Sequence, residues 1–388
     1  MRLVVLPLCL LLAFGARAQQ APKNPRTDVD FYNRGQERHA AGDLDGAIAD
    51  YDQALARSKD PIIVVQVLVN RANALMSKGD YSAAVADLDK AVAASPKDFR
   101  AYYNRGIARE SLGQTEAAVA DYTRAIELNP QFSMAYNNRG NVRRAAGDAA
   151  GALADYDKAI EVFPAGPHGY FNRGVALHDR GELERALADL DKAIEIDPKF
   201  AEAYHARGLA RQQKGDAAGA LADMERAVGL KPDEPEGYVA RGSLRRARGE
   251  LDAAVADFTR ALELNPSHAD AYTNRGIARN MKADASGALA DFDKAIELNP
   301  RDAVAYVNRG TIRDGRGDLA GAHSDFSFAI AVNPSLAQAY ANRGTVRVRQ
   351  GKFEQAEADI NKAVALDPAL KPSLEKYLTE MKRRRERQ

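Results

Sequence analysis

The dipeptide Arg-Gly returns every 34 residues. It stands at Arg105-Gly106, Arg139-Gly140, Arg173-Gly174, Arg207-Gly208, Arg241-Gly242, Arg275-Gly276, Arg309-Gly310 and Arg343-Gly344. Arg71-Ala72 carries the register backwards, and Arg34-Gly35 precedes it by 37 residues, so three residues are inserted between the first and second units. A fixed period of this length restricts the chain to architectures that stack one small unit repeatedly, because a single unit cannot bury its apolar face alone. Ten units over residues 28–370 take up most of the 388 residues. Length alone would argue for two or three globular domains, but an array grows by adding units to a stack.

Within a unit the spacing is equally regular. In the third repeat, Tyr102, Gly106, Ala118, Tyr122, Ala125 and Pro130 fall on the fourth, eighth, twentieth, twenty-fourth, twenty-seventh and thirty-second positions. On this pattern the chain resembles the tetratricopeptide repeat family over residues 28–370. The resemblance implies an all-α fold, a right-handed α-α superhelix (a solenoid) of ten 34-residue helix-turn-helix repeats with a concave inner surface. Elementary packing agrees with it. Gly106 and Ala118 are small where two helices approach, Tyr102 and Tyr122 fill the adjoining space, Gly113 ends the first helix in a left-handed conformation, and Pro130 cannot continue the second. Departures mark irregular places. Lys59 replaces the proline of repeat one just before the insertion, Ala283 replaces the helix-ending glycine of repeat eight, and Pro164-Ala165-Gly166-Pro167 suggests a looser joint.

The ends read differently. Arg2, the apolar run Leu3 to Phe14 and the small-x-small Ala16-Arg17-Ala18 form a secretory leader over residues 1–18, cut after Ala18. The run is too short for a membrane span, which needs about 20 apolar residues, so no integral span is expected in the mature chain. Residues 19–27 are an N-terminal linker. Leader removal takes away two arginines and the single cysteine, Cys9, and brings the formal charge from +1 to −1. A chain without cysteine has no disulfide, thiol chemistry or thiolate ligation. Residues 371–388 form a capping helix and basic tail: Leu374, Tyr377, Leu378 and Met381 make a helical stripe, and Leu378 stands where other units place Gly or Ala. The expected location is exported, periplasmic or secreted.

A residue placed identically in each unit becomes a ladder in space. Arg fills the seventh position of all ten repeats and Asp the twenty-third (Asp50, Asp87, Asp121, Asp155, Asp189, Asp223, Asp257, Asp291, Asp325 and Asp359). Both lie towards the helix–helix seam, where paired guanidinium and carboxylate would fix the stacking. A second Arg row (Arg38, Arg109, Arg143, Arg211, Arg245, Arg279, Arg313, Arg347) has the same expected purpose. The third row is Asn at the sixth position: Asn33, Asn70, Asn104, Asn138, Asn172, Asn274, Asn308 and Asn342, interrupted by Ala206 and Ala240. It is similar to the inward asparagine ladder of O-GlcNAc transferase repeats, which implies contact with the backbone of an extended peptide. A carboxamide offers both donor and acceptor to a peptide unit; the alternative is that these residues bond only to neighbouring helices. The fifth and ninth positions (Tyr103 and Ile107, Phe171 and Val175, Thr273 and Ile277) either pocket ligand side chains or pack first helices together.

The remaining signals exclude more than they assign. A near-zero charge gives no case for nucleic acid. No phosphate loop, nucleophile elbow or metal-ligand motif is present, and His168 and His178 stand about 15 Å apart on one helix, too far to share a metal. The expectation is a non-enzyme without cofactor or metal, binding a protein or peptide partner in its groove. Two alternatives stand beside it, a structural subunit of an envelope complex using its convex face or ends, and a chaperone-docking adaptor. Partner identity and oligomeric state are left open.

Overall fold

Each 34-residue unit folds into two packed helices. The computed structural model describes residues 24–385. The expected leader over residues 1–18 with Cys9, the cut after Ala18, residues 19–23 and the last three residues of the basic tail lie outside the described residues. The helices fall into two compact units, divided between Pro198 and Lys199.

In the first unit the leading helices are α1 (Asp28–Ala40), α3 (Pro61–Lys78), α5 (Phe99–Ser111), α7 (Ser133–Ala145) and α9 (Pro167–Asp179). Their hairpin partners are α2 (Leu44–Arg57), α4 (Tyr81–Ala94), α6 (Thr115–Leu128), α8 (Ala149–Val162) and α10 (Leu183–Ile196). In the second unit α11 (Ala201–Lys214), α13 (Pro235–Ala247), α15 (Ala269–Met281), α17 (Ala303–Gly315) and α19 (Ala337–Arg349) lead. They pair with α12 (Ala217–Leu230), α14 (Leu251–Leu264), α16 (Ala285–Leu298), α18 (Leu319–Val332) and α20 (Phe353–Leu366). A short 3₁₀ turn, Pro368–Leu370, then leads into α21 (Lys371–Arg385).

The hairpins close because their seam is lined by small residues. Ala118 and Ala125 are fully buried, and so is the Tyr122 ring between them. A Cβ on Gly106 would stand 2.7 Å from that ring, so only glycine admits it at this approach. Burial of each such aromatic contributes about 1.5–3 kcal/mol. The first helices of neighbouring repeats also touch: α1 with α3, α3 with α5, α5 with α7 and α7 with α9 in the first unit, α13 with α15, α15 with α17 and α17 with α19 in the second. Among the described residues the second helices make no comparable contact with one another. Each stack therefore closes on the side of its first helices and opens on the side of its second ones.

The three irregular places resolve individually. The insertion after repeat one does not loosen the joint; it lengthens α3 to 18 residues, started by Pro61 and capped by Asp60, whose carboxylate accepts the Ile62 N–H at 2.8 Å. The Pro164–Pro167 stretch is no longer than its neighbours: four residues, 163–166, separate α8 from α9 as 129–132 separate α6 from α7. Ala283 does adopt the left-handed conformation its position demands, at φ +64°, the one non-glycine residue with positive φ among those described.

At the end of the array, α21 lies against α20 and α19. Leu374 and Met381 are buried against Ile360 and Ala363, with Tyr377 and Leu378 partly covered beside them. This apolar stripe closes the last hairpin. Among the described residues no helix is long and apolar enough to cross a membrane.

Candidate ligand-holding face

The seam behind the first helices is built from arginine and aspartate. In all ten repeats Nη2 of the seventh-position Arg lies 2.6 or 2.7 Å from one carboxylate oxygen of the twenty-third-position Asp. Its Nε donates to the other oxygen at 2.7–3.1 Å, which makes the pair bidentate. The aspartates are buried, from 1% exposed at Asp325 to 7% at Asp189. The second Arg row reaches the same carboxylates at 2.6–3.0 Å in eight repeats. Repeats two and five carry Leu75 and Leu177 at that position, and there Asp87 and Asp189 hold the seventh-position Arg without a second-row one.

Two further contacts make this seam a cross-tie. The seventh-position guanidinium lies against the aromatic ring three residues earlier, 5.4–6.0 Å from its centroid, in nine repeats. Its remaining Nη1 reaches back to the twenty-fifth position of the preceding repeat: Arg71 to Asp52, Arg105 to Asp89 at 2.8 Å, Arg173 to Asp157 and Arg309 to Asp293 at 2.7 Å. Where that position is a hydroxyl, Arg139 donates to Thr123, Arg275 to Thr259 and Arg343 to Ser327. Sequence reading missed this row because its residue type varies among Asp, Glu, Asn, Thr and Ser, although its 34-residue period is as fixed as the rest.

The asparagines flank this seam on the first helices. Asn172 is buried, and the other seven are half-buried. Their NH2 groups follow a simple rule. Where the fifth position of the preceding repeat offers an oxygen, the carboxamide reaches across to it: Asn70 to the Tyr32 hydroxyl at 2.8 Å, Asn138 to Tyr103 at 3.1 Å, Asn172 to the Asn137 carbonyl at 3.2 Å. Asn274 follows Val239, and Asn308 follows Thr273, whose hydroxyl is donated to Asp302 at 2.6 Å. These two fold back on the carbonyls of Asp270 and Val304, both at 2.8 Å. Asn342 donates to Thr311 at 3.4 Å and accepts from Gln338 at 2.7 Å. Asn33 and Asn104 make no side-chain hydrogen bond among the described residues. The carbonyl oxygens of Asn70, Asn138, Asn172, Asn274 and Asn308 likewise accept from no group there.

The neighbouring positions are occupied by packing. Ile107, Phe171 and Thr273 are buried between helices, while Val175 and Ile277 are half-buried. The charges of mixed sign on this face largely neutralise one another, Arg144 with Asp179 at 2.7 Å, Lys231 with Glu202 at 2.7 Å, Arg100 with Asp98 at 3.0 Å, and Arg349 with Asp314. Glu110 accepts the Tyr122 hydroxyl at 2.7 Å, and burial of that phenol, followed by the carboxylate's charge, raises its pKa well above the ordinary value. The face is thus polar, weakly charged and lined with amide oxygens.

Comparison with known proteins agrees with this architecture. Models described as TPR repeat match residues 176–215 and 242–281. Models described as tetratricopeptide repeat match residues 69–133 and 307–370, 121–154, and 201–234. Together these matches cover more than half of the chain. Among solved structures, a tetratricopeptide repeat protein of Parabacteroides merdae is 21% identical with a TM-score of 0.54, covering 65% of this chain and 98% of that one. YrrB, described as a TPR protein with an unusual peptide-binding site, is 28% identical with a TM-score of 0.40, covering 47% of this chain and 95% of that one. A thermophilic TPR protein of Thermus thermophilus is 28% identical with a TM-score of 0.41, covering 46% and 98%. No curated protein matches the chain. The period, the stacked hairpins and the matched segments identify the chain as a member of the tetratricopeptide repeat family.

Proposed function

We propose that the chain is a protein-interaction scaffold whose first-helix face holds an extended polypeptide segment. The observation that carries this reading is the line of uncommitted amide oxygens. With their NH2 groups already tied to the protein, Asn70, Asn138, Asn172, Asn274 and Asn308 are oriented to accept, and a peptide N–H is the donor that any partner sequence offers. Touching helices lie about 8–10 Å apart. A polyproline-type segment advances about 9.3 Å in three residues, whereas a β-strand repeats its same-face donors every 6.6–6.8 Å or so. The ladder therefore suits one N–H in three of an extended, left-handed segment. Grip comes from the backbone and selectivity from elsewhere. The ladder runs over repeats one to five in the first unit and eight to ten in the second, so each unit holds its own stretch. The leader expected over residues 1–18 supports a setting outside the cytoplasm, in the periplasm or beyond.

The test is the combined substitution of Asn104, Asn138 and Asn172 by Ala. Selection from a random dodecapeptide library on wild type, followed by fluorescence anisotropy, should give binders that the triple variant no longer holds. Binding that survives in a folded triple variant defeats the ladder.

One observation favours a second reading, assembly through the outer face. The twenty-sixth position is Lys or Arg in eight repeats, but in repeat nine it is Phe328, 54% exposed and stacked on Tyr306 at 5.5 Å. From Phe326 to Asn342 there is no charged residue, so this outer strip of α18 is the part of the array suited to a fixed apolar contact. Phe328→Lys would restore the row and abolish such an assembly without touching peptide binding.

A further inference from the structure

Three repeats of the first unit carry tyrosine at the twenty-fourth position, and the ring stands alike in each. A Cβ on the facing glycine, Gly35, Gly106 or Gly140, would meet the ring of Tyr51, Tyr122 or Tyr156 at 2.6, 2.7 and 2.6 Å. The hydroxyl points at the ninth and twelfth positions of the first helix. In repeat three Tyr122 donates to the Glu110 carboxylate at 2.7 Å, and in repeat four Tyr156 donates to the Asn141 amide oxygen at 2.8 Å. The chain itself supplies the acceptor in both.

Repeat one differs. Tyr51 is fully buried, and its hydroxyl has no hydrogen-bond partner among the described residues. The two positions that should serve it are Gln36 and His39. Gln36 instead donates to the Tyr32 hydroxyl at 3.0 Å, and His39 approaches Ser77 through Nε2 at 3.4 Å, leaving Nδ1 without a partner among the described residues. Asn70 of the ladder donates to the same Tyr32 oxygen at 2.8 Å. That oxygen therefore accepts twice, and its own hydrogen has no acceptor among the described residues. The Tyr32 and Tyr51 rings lie 6.2 Å apart. Two phenolic O–H groups without acceptors thus stand beside a ladder asparagine. A buried hydroxyl in that condition costs about 1–3 kcal/mol. Repeats seven to nine avoid the cost with Phe258, Phe292 and Phe326 at the same position.

We infer that repeat one takes from the bound segment the acceptor that repeats three and four supply themselves: a side-chain carboxylate or carboxamide oxygen. It enters between Tyr51 and Tyr32 as Gln36, held there by one hydrogen bond, swings aside. This rests on the first-helix face holding an extended segment, and it makes repeat one a place where side-chain identity is read.

The full chain is tested first by selection on the random dodecapeptide library, comparing wild type with Tyr51→Phe. Wild type should enrich Asp, Glu, Asn or Gln at one position, and Tyr51→Phe should lose that enrichment. The enriched peptide is then made with Glu, Gln or Leu there, which separates carboxylate from carboxamide. Tyr51→Phe should weaken the Glu or Gln peptide about tenfold, equivalent to about 1.4 kcal/mol, and leave the Leu peptide unchanged. Folding should not suffer, since phenylalanine is native to this position elsewhere, and a thermal melt checks it. Tyr122→Phe, whose hydroxyl already has its acceptor, should change no affinity. Equal binding of all three peptides by wild type and Tyr51→Phe, or enrichment without an acceptor residue, overturns the inference and leaves the groove standing. A wild-type chain that selects no peptide at all overturns both.

Discussion

Replacing Ala283 with glycine should stabilise the protein. The residue ends α15 at φ +64°, where nine other repeats place glycine at φ between +72° and +91°. An L-residue with a Cβ loses about 1–2 kcal/mol in this region, and glycine gives back about 0.5–1 kcal/mol through its freer unfolded chain. The net gain is about 1 kcal/mol. Nothing else differs at the site: Ala283 N–H donates to the Asn280 carbonyl and Asp284 N–H to that of Arg279, both at 2.9 Å, as Gly317 and Asp318 donate to Asp314 and Arg313 at 3.0 and 2.9 Å. The mirror substitution is Gly317→Ala. No atom lies within 4 Å of a Cβ built there, so any loss is backbone strain and not a clash. In a unit of this size 1 kcal/mol moves Tm by about 2–4 °C. Thermal unfolding followed by circular dichroism should show Ala283→Gly melting higher by that amount and Gly317→Ala lower. If Ala283→Gly melts lower, or Gly317→Ala is neutral, the backbone argument is wrong.

Two other perturbations address the seam and the histidines. Asp121→Ala strands Arg105 and Arg109, whose side chains are 13% and 21% exposed, and should cost about 3–5 kcal/mol; Asp89→Ala removes a 49% exposed partner of the same Arg105 and should cost under about 1 kcal/mol. Urea midpoints compare the two, and equal losses would show that the seam is not a desolvated one. Burial lowers the pKa of His39, His205 and His323, so the unfolded chain takes up their protons first, near pH 6.5 or so. Stability from these groups is complete above that pH and is lost as pH falls through the window below it. Tm should be lower at pH 5.5 than at 7.5, and substitution of all three by Gln should flatten the difference.

The period made the helices legible, because glycine, alanine and proline at fixed offsets leave one way to place two helices in 34 residues. The Arg–Asp seam was legible for the same reason: two opposite charges recurring on facing positions have each other as partners. The asparagine contacts were not. Whether Asn138 ties two repeats together or Asn274 folds onto its own turn depends on Tyr103 or Val239, residues 35 positions earlier. A row can be read from one position, whereas a bond needs two. The inserted residues 62–64 looked disruptive for a related reason. Their place in the chain was clear; Asp60-Pro61 is a local start signal, an N-cap followed by proline at the first helical position, but the repeat register overrides it by placing the helix start four residues later.

The backward reach of the seventh-position arginine bears on how such an array comes apart. Between repeats one and two, two and three, four and five, and eight and nine the tie is a charged pair, and between six and seven Arg245 reaches Glu225. Between three and four, seven and eight, and nine and ten it is a hydroxyl, Thr123, Thr259 or Ser327. Coupling between neighbours decides whether a repeat protein unfolds as one block or in pieces. High salt, which screens exposed charges but not neutral bonds, would loosen the charged joints and leave the three hydroxyl joints unchanged, so ionic strength alone would shift where the array first comes apart.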